Sequence, residues 1–72
     1  MPAQPASAKI TGLQTVEIFD QNGNYMHRVS VAPDRVAGAV VSGGMLTINL
    51  TDGRVKGFAL IPGSSPVLRF TR

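Results

Sequence analysis

Residues 47–62, TINLTDGRVKGFALIP, decide how the rest of the chain is read. Apolar and polar residues alternate on both sides of Asp52-Gly53, which is the period of a half-buried strand. Asp-Gly between two such runs predicts a two-residue hairpin loop, since a type I′ turn needs positive φ at both central residues. That loop pairs Leu50 with Val55, Asn49 with Lys56 and Leu46 with Ala59. One face then carries Leu46, Ile48, Leu50, Val55, Gly57, Ala59 and Ile61. The other carries Met45, Thr47, Asn49, Thr51, Arg54, Lys56, Phe58 and Leu60. An apolar face backed by a mixed one is what an antiparallel sheet with one buried side requires.

The same plan occurs upstream. Asn22-Gly23 separates LQTVEIFDQ (13–21) from NYMHRVSVA (24–32), and a two-residue loop pairs Val16 with Val29, Ile18 with His27 and Glu17 with Arg28. Both units end in proline, so one hairpin plan is used twice. Between them, DRVAGAVVSGG (34–44) favours a strand through Val36, Val40 and Val41. Asp34 as an N-cap and the glycine pair as a stop also permit a short helical turn. In PVLRFTR (66–72), Pro66 lacks an N–H, so a strand beginning there belongs at a sheet edge. Such a strand closes a small barrel or pairs with another chain. The fold class expected is all-β: a single antiparallel meander of five or six short strands. It is either curled as an SH3-like or OB-like barrel or completed by oligomerisation.

The chain has 72 residues, room for one domain. Residues 1–9, MPAQPASAK, have no apolar period and read as a disordered tail, leaving 10–72 as a single β domain. A domain of this size sits near the lower limit for independent stability and usually needs a staple. There is no cysteine for a disulfide, and the one histidine, His27, cannot hold a metal by itself. Homo-oligomerisation is therefore expected. No signal peptide and no apolar run long enough to cross a membrane is visible, which predicts a cytoplasmic protein. The net charge of +3 permits contact with phosphate without demanding it.

Catalysis lacks parts. The acids are Glu17, Asp20, Asp34 and Asp52, and turn or cap roles account for the three aspartates, while Arg28 is the expected partner of Glu17. His27 shares a strand face with Val16 and Ile18, the setting of a packed histidine. No nucleophilic cysteine, phosphate loop or acidic cluster is present, so no catalytic, cofactor or metal site is assigned and the expected protein is not an enzyme.

KGFALI (56–61) resembles part of the RNA-recognition-motif strand signature, with Lys56, Gly57, Phe58 and Ala59 matching. Leu60 stands where that signature has an aromatic, and Pro62 and Pro66 interrupt the region where the family places a helix. The family is rejected on those departures. LTINLTDGRVKGFAL (46–60) resembles the first Sm-like motif, which would imply a β-barrel ring threading RNA. The opening helix and second motif are missing, so no residue role is carried over.

Two functional expectations follow. The first is a non-catalytic β-module acting by self-assembly or by binding a protein partner. Its interface candidates are Met45, Phe58, Leu60, Leu68 and Phe70. The alternative is a single-stranded DNA- or RNA-binding protein using Arg28, Arg54, Lys56, Phe58 and Arg69, with cations at phosphate and an aromatic under a base. Only four aromatics exist, and a core this small needs most of them, which favours the first.

Overall fold

A computed structural model of the chain describes residues 4–72. Among them the backbone is all-β, in seven strands: β1 (Pro5–Ile10), β2 (Thr15–Asp20), β3 (Tyr25–Ser30), β4 (Val36–Ser42), β5 (Met45–Leu50), β6 (Val55–Ala59) and β7 (Val67–Thr71). They form two antiparallel sheets, β1-β2-β3 and β4-β5-β6-β7, and no barrel closes. There is thus one more strand than expected and one more sheet. The extra strand is β1, which lies in the segment read as a tail. Ser7, Ala8, Lys9 and Ile10 pair with Phe19, Ile18, Glu17 and Val16. The first three residues of that expected tail lie outside the described residues. Residues 36–42, where strand and helix both fitted the sequence, are a strand.

Neither of the two expected loops has two residues. In the first, Asp20 N–H donates to Asn24 O at 2.9 Å and Gly23 N–H to Asp20 O at 3.0 Å. In the second, Leu50 N–H donates to Arg54 O at 2.9 Å and Gly53 N–H to Leu50 O at 3.1 Å. Both are three-residue loops in which only the glycine has positive φ, +84° at Gly23 and +90° at Gly53. This is a type I turn followed by a G1 bulge, which spares Asn22 and Asp52 the left-handed conformation. The one two-residue loop is Gly43-Gly44, at φ +57° and +77°, joining Ser42 to Met45.

That extra loop residue has opposite outcomes in the two hairpins. In the first, Met26 bulges from β3 and restores the pairing, so Val16 faces Val29, Ile18 faces His27 and Glu17 faces Arg28, as expected. In the second no bulge intervenes, and the register is one residue off the expected one. Leu46 faces Phe58, Ile48 faces Lys56 and Asn49 faces Val55. A one-residue slip exchanges the faces of a strand. Lys56, Phe58 and Leu60 therefore share the side of Leu46 and Ile48, while Gly57 and Ala59 join Thr47 and Met45.

The two sheets bury one core of Val16, Ile18, Val29 and Val31 against Leu46, Ile48, Leu50 and Leu60. Each such side chain contributes about 1.5–3 kcal/mol by leaving water, which makes this cluster the main source of stability. The sheets meet where β1 lies against β4. The link between them turns at Val31–Asp34, with Asp34 N–H donating to Val31 O at 2.9 Å.

β1-β2-β3 and β4-β5-β6 repeat one another strand for strand. Ala6 bulges from β1 and Ala37 from β4, at matching places. Val16 and Ile18 of the central β2 correspond to Leu46 and Ile48 of β5, and all four are buried. Met26 is the one residue that β3 has and β6 lacks. β7 has no counterpart in the first triplet.

Candidate functional site

The second hairpin's shifted register decides what its cations can do. Lys56 points to the core side of the sheet and lies 3.7 Å from an Asp34 carboxylate oxygen. Arg54 donates from Nη2 to the other oxygen of Asp34 and from Nε to Asp52 at 2.8 Å. Two cations therefore meet two carboxylates. Asp52 also accepts the Arg54 backbone N–H at 3.0 Å. That bond first, and the Arg54 side chain next, hold the Asp52 carboxyl below its ordinary 3.8, while Asp52 holds the Arg54 guanidinium further up. Asp34 thus ties the linker between the sheets to the second hairpin. The sequence reading placed Asp34 in a turn, where its backbone is, and missed its side-chain partners because they are distant in the chain, Arg54 being twenty residues away.

Phe58 is half-buried and packs against the core instead of facing out beside Arg54 and Lys56. Leu60 is in the core at 6 % exposure, whereas Met45 lies on the opposite face, so the expected Met45–Phe58–Leu60 surface does not assemble on one side. Arg28 is exposed in the three-stranded sheet and Arg69 in the four-stranded one. Glu17 and Arg28 are register partners, with no hydrogen bond or ion pair between their side chains. The five residues considered for nucleic acid therefore form no single basic face.

Phe70 lies across Gly57, where a side chain would have no room: a Cβ there would come within 2.1 Å of the Phe70 ring. The Arg72 guanidinium covers the ring at 4.8 Å from its centroid, a cation–π distance. The ring is held between Gly57 and Arg72. Asp20, 7 % exposed, accepts the backbone N–H groups of Asn22 and Asn24, both at 2.9 Å, which is the turn role expected of it. His27 is half-buried opposite Ile18.

Large apolar side chains are exposed at several places, Ile10, Leu13, Tyr25 and Val40 among them. At the connection from β6 to β7, Ile61, Val67 and Leu68 are 48, 44 and 50 % exposed. Leu68 faces Phe58, and Val67 faces Ala59. β7 pairs with β6 on one side and has no strand on the other. The four-stranded sheet is covered by the three-stranded one at β4, its far edge. Among the described residues no cavity opens, no cluster of three metal-ligating side chains forms, and no helix is long and apolar enough to cross a membrane.

No family model, curated protein or solved structure matches this chain. What the geometry itself defines is an all-β protein of two antiparallel sheets built on a repeated triplet.

Proposed function

We propose that the chain is a non-catalytic β-module that works by assembling with a second copy of itself. The observation that carries this reading is the free edge of β7 in the four-stranded sheet, with Leu68 and Val67 exposed on its two faces and Ile61 exposed on the connection leading to it. Singly exposed apolar residues are ordinary. Exposed apolar residues on an open edge strand are suited to an interface, because the edge offers free backbone groups and the side chains offer area to bury. The pairing of Arg54 and Lys56 with Asp34 and Asp52 weakens the alternative of nucleic-acid binding, since phosphate would have to displace carboxylates already in place.

Light scattering on a sizing column tests the reading. The protein is expected to run at twice its chain mass or more, and Leu68→Asp to run as a monomer with unchanged far-ultraviolet circular dichroism. A monomeric native protein over a wide concentration range would overturn it. So would salt-sensitive binding of single-stranded DNA that Arg54→Ala with Lys56→Ala abolishes, which would install the alternative.

A further inference from the structure

The repeated triplet supplies its own control, because one backbone plan carries two sets of side chains. Core positions match across the repeat, Val16 and Ile18 answering Leu46 and Ile48. The positions on the opposite faces, away from the core, do not match. Across β1, β2 and β3 runs a row of Lys9, Glu17 and Arg28, and next to it a row of Ser7, Phe19 and Tyr25. The corresponding rows of β4, β5 and β6 are Val40, Thr47 and Gly57, and Gly38, Asn49 and Val55. The second triplet folds with neither charge nor aromatic ring at those places, so the fold itself does not ask for them.

We propose that this outer face of the three-stranded sheet binds single-stranded nucleic acid, with Tyr25 stacking on a base and Lys9 and Arg28 holding phosphates. Tyr25 is 57 % exposed. It meets Phe19 edge to face, with centroids 6.4 Å apart and planes at 80°, which steadies the ring while leaving it in solvent. Lys9 and Arg28 are exposed too, and among the described residues neither has an ion-pair partner, although Glu17 stands between them. Two cations about one carboxylate leave the row net positive.

A solvent-facing ring beside free cations fits a strand of bases and phosphates, because the ring stacks and the cations neutralise. Lys9 and Arg28 stand two strand spacings apart, about 9.5 Å, so they reach different phosphates. Glu17, an acceptor in the middle of the row, suits the amino group of a base. An acidic peptide would use the cations and leave the ring idle. A neutral glycan would use the ring and leave the charges idle. The site is separate from Arg54, Lys56 and Phe58, whose cations are taken by Asp34 and Asp52 and whose ring packs on the core. It lies in the other sheet from β7, so it goes beyond the assembly reading and does not rest on it.

Fluorescence anisotropy of labelled mixed-sequence oligonucleotides, one of DNA and one of RNA, tests the site on the full chain. Binding is expected at low salt, with log K falling against log salt at a slope of about −1.4 for two phosphate contacts on a single strand. Lys9→Gln with Arg28→Gln should remove most of that slope. Tyr25→Val, which installs the residue found at the matching place in β6, should raise Kd about tenfold and leave the slope alone. Circular dichroism checks the fold of both variants, and Lys9→Gln alone or Tyr25→Leu repeats the measurement should either fail to fold. No binding of either oligonucleotide at low salt would overturn the proposal, and so would binding that both variants leave intact. An effect of the charge variant with none from Tyr25→Val would overturn it as well, since the face would then act by charge alone. So would an acidic peptide bound as tightly and with the same response to Tyr25→Val. Binding lost in Arg54→Ala with Lys56→Ala, but kept without Lys9 and Arg28, would move the site to the other sheet and overturn this one.

Discussion

At Gly57 the missing side chain is what lets Phe70 lie flat on the sheet. The ring fills the space that a Cβ would occupy, so Gly57→Ala must push Phe70 off its strand neighbour and away from Arg72. Overpacking of this kind costs about 1–3 kcal/mol. Urea denaturation should show a loss in that range. In Gly57→Ala with Phe70→Ala the loss should be smaller than the sum of the two single changes, because the clash has gone. Additive losses would mean that the ring and the glycine are not coupled. Asp52 gives a second residue-scale prediction, in the pH dependence of stability. Its carboxyl is held below 3.8 in the fold by the Arg54 N–H and side chain. A carboxyl depressed by folding stabilises above its unfolded pKa, and that contribution is lost as pH falls through the folded value. Asp52→Asn should therefore lower the melting temperature near neutral pH but converge on the native protein at pH below the carboxylate range. Parallel melting curves down to strongly acidic pH would show that Asp52 contributes no such linkage.

Hairpins set the element scale, and one inserted residue separates the two of them. Deleting Met26 removes the bulge from β3 while the three-residue loop before it stays. Tyr25 would stay opposite Phe19 and His27, now next to it, opposite Ile18, so Val29 keeps its place opposite Val16 and β3 takes the bulge-free form of β6. The deletion is expected to keep a cooperative unfolding transition, read by near-ultraviolet circular dichroism against temperature. Loss of the cooperative transition would show that the bulge itself, and not only the register beyond it, is required for the fold. The same residue explains why the first hairpin's pairing was legible in the sequence and the second's was not. Asn22-Gly23 and Asp52-Gly53 both suggested a two-residue loop, and both were misread by one. Met26 cancels that error in β3, and nothing cancels it in β6, which turned the Arg54, Lys56 and Phe58 side inward. Strand content was legible because β-branched alternation marks it locally. β1 was not, because Pro5–Ile10 has small residues with no apolar period and gains its place by pairing with β2 and lying against β4. The ion pairs of Asp34 were illegible for a related reason: they depend on how the two sheets meet.

For the whole molecule, core and surface charge carry unequal weight. Eight buried apolar residues drawn from both sheets hold it together, and the Asp34 cluster fixes how the linker lies over the second hairpin. The proposed assembly would add a dependence on concentration, since a partner that binds only the folded state raises its apparent stability. The melting temperature of the native protein should rise with protein concentration, and that of Leu68→Asp should not. A native melting temperature independent of concentration would count against the reading, as a monomeric mass would.

Each of the four strands bordering a sheet contains one bulge, at Ala6, Met26, Ala37 and Arg69, and the three interior strands contain none. Seven strands made from two triplets and one addition give the molecule unlike ends: a sheet of three stops at β3, and a sheet of four stops at β7. An object with unlike ends has a direction.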